Sequence, residues 1–230
     1  ILNINYLNFD LFVVDNNSTD ESVKFLKSNF DQVQLLKSHK NLGWSGGNNF
    51  AVTNIENVND YDVLVFLNND ILVHPDLLIN FNHIFTERND CGICGPFVIG
   101  DCETVPLDVW KHACDDYKDI QYERCDDHIG GMALAIRTKI FIDLGMFDDG
   151  FFLYSDETDF LIRSDLAHIK KYKSNLPVWH NASGTTRKVP LVSSFNQIYS
   201  GIRLQLKYFK LTDFFKYLIY INYIGLFLSR

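Results

Sequence analysis

The 230-residue sequence contains neither G-x-x-x-x-G-K-[ST] nor a G-x-G-x-x-G after its first apolar run, which argues against P-loop and dinucleotide chemistry. It lacks internal repeats, low-complexity tracts and any linker that would separate two domains. No apolar run reaches the roughly 20 residues of a membrane-spanning helix. The longest, Phe214 to Leu228, fits an interfacial helix or a buried one. Basic residues are scarce: 21 Lys and Arg stand against 29 Asp and Glu, a net charge of −8. With no long basic run, nucleic-acid binding is not expected. Anionic small ligands stay compatible, because helix N-termini and metals hold phosphates without net positive charge. The five cysteines are odd in number and irregularly spaced, so no disulfide framework is expected and the thiols point to a reducing compartment. Cys91 and Cys94 form a C-x-x-C with no second pair to complete a zinc site, and read as small hydrophobes in CGICGPFVI. No signal peptide is visible, and the first residue is Ile1, so the chain is expected to be a piece of a longer polypeptide.

What is present is an alternation of strand and helix patterns. Leu11–Val14, Val33–Leu36, Val63–Leu67, Ile93–Ile99 and Met132–Ile136 are short apolar runs that read as buried strands. Ser18 and Glu21 have the form of a capping box ahead of a helix carrying Val23, Leu26 and Phe30. Asn41–Asn49, NLGWSGGNN, reads as a glycine-rich loop leading into a helix. Pro75 suits a first helical turn, followed by the apolar face Leu77, Leu78, Phe81, Ile84 and Phe85. The stretch 100–128 has no clear period and reads as a long loop or small insertion. Thr138 opens a short helix, Asp156–Ile169 an amphipathic one, Val178–His180 ends a short strand, and the remainder reads as helical. The expectation is an α/β protein: an open, mostly parallel, Rossmann-like sheet flanked by helices, binding ligands beyond the carboxyl ends of its strands. A single domain over residues 1–205 and an apolar helical extension over 206–230 are expected.

Three polar clusters follow apolar runs: Asp15-Asn16-Asn17, Asn68-Asn69-Asp70 and Asp156-Glu157-Thr158-Asp159; His180 follows a fourth. Each alone fits a turn or a helix cap. Together, an oxygen-rich set with one histidine suits a hard divalent cation.

VVDNNSTD (13–20), NLGWSGGNN (41–49), LNND (67–70), the segment from Gly130 to Arg163 and the later His180 resemble the family-2 glycosyltransferases. The resemblance is strongest to their rhamnosyltransferase-like branch, whose members act on polysaccharides and glycolipids, and it extends weakly to YSGIR at 199–203. It implies a GT-A fold and an inverting, metal-dependent transfer of a hexose or deoxyhexose. The implied donor is a dTDP-, UDP- or GDP-sugar, and the implied acceptor a hydroxyl of a saccharide or lipid-linked saccharide. It implies donor contacts at Asp15 (the base), Asn17, Asn41, Gly43, Gly47, Asn48 and Asn68. Asp70 and His180 would hold Mg or Mn; Gly130, Gly131 and Asp159 would lie by the acceptor. DETD stands where the family has E-D-x-D, which makes Glu157 the general base, with Asp156 its rival if the backbone is shifted by one position. Neighbouring acids and partial desolvation are expected to raise the Glu157 pKa. The family's opening strand and helix have no counterpart upstream of Leu11. An inactive GT-A-like remnant that binds nucleotide or a partner is therefore the alternative function. A cytoplasmic location is implied, with the apolar terminal run meeting a membrane surface at its cytoplasmic face.

Overall fold

The computed structural model describes residues 1, 3–99, 107–116, 121–180 and 190–210. In chain order the first elements are β1 (Phe12–Asp15), α1 (Ser22–Asn29), β2 (Gln34–Lys37), α2 (Gly43–Asn54), β3 (Val63–Leu67), β4 (Ile71–Val73) and α3 (Leu77–Glu87). They are followed by β5 (Cys91–Ile99), α4 (Leu107–Asp116), β6 (Tyr122–Arg124), β7 (Ala133–Arg137), α5 (Thr138–Asp143), α6 (Asp156–Leu166), β8 (Lys170–His180) and α7 (Pro190–Tyr208). The strand–helix alternation and the open α/β layering match the expectation. β1 and β2 are parallel, as are β5 and β8, but β7 runs antiparallel to both β3 and β5, which makes the sheet mixed.

The period of two along β7 sets the core. Ala133 and Ala135 join a cluster with Leu77, Phe81 and Ile84 of α3, whereas Leu134 and Ile136 join Phe141, Phe147 and Phe160 on the other side. A strand covered on both faces needs apolar residues at every position, which is why these runs were readable as strands. Cys91 and Cys94 sit in the first cluster, and burial pushes the Cys91 thiol up to about 12 and Cys94 well above its ordinary value.

Four local expectations change. Ser18 does not cap α1; its N–H donates to Asp15 Oδ1, and Asp20 Oδ1 receives the Ser22 N–H at the helix start. The glycine-rich stretch is the body of α2 rather than a loop. Glycine is a poor helix former, but here it lets other chain segments approach. The 100–128 stretch contains α4 and β6. β8 is an 11-residue strand, far longer than its apolar end. Its lysines hid it: Lys171 is 5% exposed because it pairs with Asp165 at 2.8 Å.

The strands fall into two sheets. β1 pairs with β2 alone; β3, β7, β5, β8 and β4 follow in order, with β6 beside β8. Among the described residues, β1 and β3 each show one unpaired edge. The β1–α1–β2 unit is correspondingly thin: every residue of β1 is half-buried and α1 buries none.

Candidate active site

The site is built around Asn68, just past the end of β3. Its Oδ1 accepts the Trp44 indole N–H at 2.8 Å, and its backbone N–H donates to Met132 O at 2.9 Å. Trp44 belongs to α2 and Met132 follows Gly131, so three segments meet there. Two residues on, Asp70 Oδ1 lies 3.4 Å from His180 Nε2, because β4 and β8 pair with Ile71 opposite His180.

The start of α2 is clamped from β1. Asn16 Nδ2 donates to Gly43 O at 2.8 Å, and its Oδ1 accepts the Leu42 N–H at 3.0 Å. Asn41 Oδ1 accepts the Gly43 N–H. Gly43 has φ +74°, and a Cβ there would collide with the Phe152 carbonyl; only glycine meets both conditions. A Cβ on Gly47 would stand 3.1 Å from Asn16 Nδ2. Asn48 donates to Trp44 O within its own helix, and Asp15 accepts from Ser18. Asn17 is exposed in the left-handed region at φ 65°.

α6 presents its acids on two faces. Asp156 is 4% exposed and Asp159 fully buried, whereas the Glu157 side chain keeps 22% exposure. Glu157 packs on Gly131, where a Cβ would stand 3.1 Å from Glu157 Cβ, and His128 Nε2 lies 3.6 Å from its Oε1. A Cβ on Gly130 would meet Met132 Cε. Ser45 Oγ reaches Phe151 O at 2.9 Å and Asp156 Oδ2 at 3.1 Å, tying α2 to α6. Asp159 faces away from Glu157: Arg163, Lys207 and Tyr208 hold its oxygens at 2.9, 2.6 and 2.7 Å. That engagement sets Asp159 against α7 and leaves Gly131, of the residues expected beside the acceptor, in contact with Glu157.

Burial drives the Asp156 carboxyl up to about 8, reinforced by the hydrogen bond and charge of Glu157. Glu157 moves the other way. Burial raises it, but the polar interactions with His128, 3.6 Å away, and with Asp156 outweigh that and leave it below its ordinary value. The expectation of a raised Glu157 is thus overturned; the raised acid is its neighbour. These directions favour a protonated Asp156 beside an ionised Glu157 at neutral pH.

This has a stability consequence. A folded-state pKa above the unfolded value of 3.8 contributes stability that is complete below 3.8 and lost as pH rises through about 8. Asp156→Asn mimics the protonated acid and lacks this loss. Its urea-denaturation free energy relative to wild type therefore rises as pH passes from about 4 to about 8. A pH-independent difference contradicts the assignment.

Asn16, Trp44, Ser45 and His128 complete the site with no individual role assigned to them from the sequence. The first three lie inside clusters and motifs named there; His128 lies in the stretch that had no readable period.

Asp70 and His180 are two adjacent ligand-type groups, and among the described residues no cluster of three or more His, Cys, Asp or Glu suits a metal. Two protein ligands fit a hard cation that takes its remaining oxygens from phosphates and water.

The sequence model of glycosyl transferase family 2 matches residues 1–145. Comparison with curated proteins gives no match. Among solved structures, S. aureus TarS 1–349 in complex with UDP superposes with a TM-score of 0.56 at 14% identity, covering 77% of this chain and 53% of that one. Full TarS from S. aureus gives 0.56 at 16% identity, over 79% and 33%. GalNAc-T7 with UDP, GalNAc and Mn2+ gives 0.56 at 13% identity, over 74% and 37%. The chain thus spans about half the length of the first of these structures. At such identities the likeness is one of fold, an α/β GT-A-like fold.

Proposed function

We propose that this chain, which belongs to glycosyl transferase family 2, moves a sugar from a nucleoside-diphosphate sugar to a hydroxyl of a saccharide or lipid-linked acceptor, with inversion. The observation that carries the reading is the junction at Asn68. It joins α2, the Asp70–His180 pair and the Gly131–Glu157 contact into one rim. The UDP in the TarS and GalNAc-T7 structures supports a nucleoside-diphosphate donor. The rhamnosyltransferase-like motifs support a hexose or deoxyhexose.

In this reading Asp15, Asn17, Asn41, Gly43, Gly47, Asn48 and Asn68 line the donor side. Gly130 and Gly131 line the acceptor side. Glu157 takes the proton of the acceptor hydroxyl as its oxygen attacks the anomeric carbon. The new C–O bond forms as the bond to the diphosphate breaks, so attack comes from the opposite face and the configuration inverts. Asp156, which burial and the neighbouring Glu157 keep mostly protonated at neutral pH, is the rival for that role. Asp70 and His180 would hold Mg or Mn, which supplies charge to offset that on the leaving diphosphate.

The finer reading of the architecture is that a strand belongs between the open edges of β1 and β3, which the split sheet and the thin β1–α1–β2 unit favour. The split also keeps alive the non-catalytic alternative, a module that binds nucleotide without transfer. A third element is a membrane contact. α7 turns Leu191, Phe195, Ile198 and Leu206 outward, Phe209 just past its end is exposed too, and the apolar run 214–228 lies outside the described residues. No helix among the described residues is long and apolar enough to cross a membrane.

The test is incubation with UDP-, dTDP- and GDP-sugars, Mn2+ and saccharide acceptors, following nucleoside-diphosphate release and the product's anomeric configuration by NMR. Transfer with inversion is expected. Retention overturns the mechanism, and nucleotide binding with no turnover selects the non-catalytic reading.

A further inference from the structure

The turn that delivers Glu157 is not held by its own sequence. Tyr154 and Ser155 both lie in the left-handed region, at φ 68° and 60°, a conformation that side-chain-bearing residues keep only when their surroundings impose it. Just before them, three consecutive carbonyls each accept a hydrogen bond from a distant segment. Phe151 O takes Ser45 Oγ, Phe152 O takes the Trp44 N–H, and Leu153 O takes Ser200 Oγ at 2.8 Å. Tyr154 itself bonds Ser193 through its hydroxyl at 2.6 Å. Two of these partners belong to α2 on the donor side; the other two belong to α7.

α7 is built for this role and poorly built for ordinary packing. Its exposed apolar residues point outward, its buried side chains are Asn196 and Ser200, and Ile202, Leu204 and Tyr208 are half-buried. Its inner face is therefore largely polar: Ser193, Ser200, Arg203, Lys207 and Tyr208 each have a partner in 148–159, whereas Asn196 donates to Val192 O within the helix. Arg203 Nη2 meets both oxygens of Asp148, at 3.0 and 3.1 Å, with the guanidinium 5.1 Å above the Phe151 ring. Gly150 admits it, since a Cβ there would collide with that guanidinium. Lys207 bridges Asp148 and Asp159 at 2.8 and 2.6 Å. Burial raises Asp148, yet Lys207, the Gly150 N–H and Arg203 together bring it down to about 2. Asp148 and Asp159 bracket the turn on both sides, so α7 grips it before and after Glu157.

We propose that α7 is a brace for the catalytic turn, with Ser200 and Arg203 as positioning residues that hold Glu157 in place through Phe151–Ser155. The claim rests on the reading of Glu157 as the base. Neither residue touches substrate in this account. Their effect is on where the carboxylate sits, and a misplacement near 1 Å is worth on the order of 100-fold in rate.

The experiment uses the full chain with two mild variants, Ser200→Ala, which deletes one hydrogen bond, and Gly150→Ala, which displaces Arg203 without removing its charge. Hydrogen exchange of the amides in 151–159, where the Phe151 N–H donates to Asp148 O and the Asp159 N–H to Ser155 O, is expected to quicken about fivefold or more in each, the worth of one lost bond, with other segments unchanged. Turnover falls about tenfold or more, while the dissociation constant for UDP with Mn2+ and the KM for donor stay within about twofold. Ser200→Thr, which retains the hydroxyl, recovers turnover. Unchanged exchange at 151–159, a uniform rise over the whole chain, or a local rise with full turnover overturns the brace. If the wild-type chain transfers no sugar, the base assignment fails, and exchange alone judges the brace: a local rise upholds it and a uniform one overturns it.

Discussion

Glu157→Gln is expected to lower sugar transfer by about 100-fold or more and to leave UDP binding within about twofold of wild type. The glutamine keeps the shape of the side chain and its packing on Gly131 but cannot accept a proton. Asp156→Asn is the informative partner. Asp156 is 4% exposed, bonded to Ser45, and carries a pKa pushed to about 8. At neutral pH it is mostly protonated, so removing its ability to ionise is expected to change transfer little. The ranking expected at pH 7 is wild type, then Asp156→Asn close behind, then Glu157→Gln far below. If Asp156→Asn abolishes transfer and Glu157→Gln does not, Asp156 is the base. If both retain full rate in an active enzyme, the pair is structural. The lowered Glu157 pKa makes it a weaker base than one tuned near 7. It gains an ionised population across the neutral range, and its rate advantage has to come from position. That places the demand on Gly131, His128 and the turn held by α7.

How much of this was legible in the sequence follows from what each residue has to do. β3 and β7 were readable because strands buried on both faces admit only apolar side chains. The apolar face of α3 was readable because Leu77, Leu78, Phe81, Ile84 and Phe85 recur at helical spacing, and all five are buried. α2 was misjudged because its glycines serve contacts with Asn16 and Phe152 that have no local signature. β8 hid behind lysines whose burial depends on Asp165 and on neighbouring strands. β4 is three residues long and exists because β8 offers it an edge. The positions of Glu157 and Asp70 came from motif resemblance. The electrostatic states of Asp156 and Glu157 came from neighbours up to 111 residues away in sequence, as with Ser45 and Asp156, which no local pattern encodes. The pKa of Glu157 was therefore the weakest of the expectations and reversed its sign.

Asp70→Ala is expected to weaken Mn2+-dependent UDP binding by about 100-fold or more, with little change in the weaker binding measured in EDTA. The reason is the size of the protein's share in the site. In the proposed site Asp70 and His180, 3.4 Å apart, would hold the cation, and without Asp70 the imidazole would be the one remaining ligand among the described residues. A bland alternative exists: Asp70 could do no more than orient His180 at the β4–β8 edge. Asp70→Asn separates the two. An amide of the same shape can still accept from an imidazole N–H, so an orienting role survives it. A hard cation, in contrast, loses the carboxylate charge that holds it, so a ligand role does not. Titration of UDP into wild type, Asp70→Asn and Asp70→Ala, each with Mn2+ and with EDTA, gives the answer. Equal loss in both variants, confined to the Mn2+ arm, is the expected result. Binding retained by Asp70→Asn makes the aspartate an orienting group, and binding retained by both removes Asp70 from the donor site.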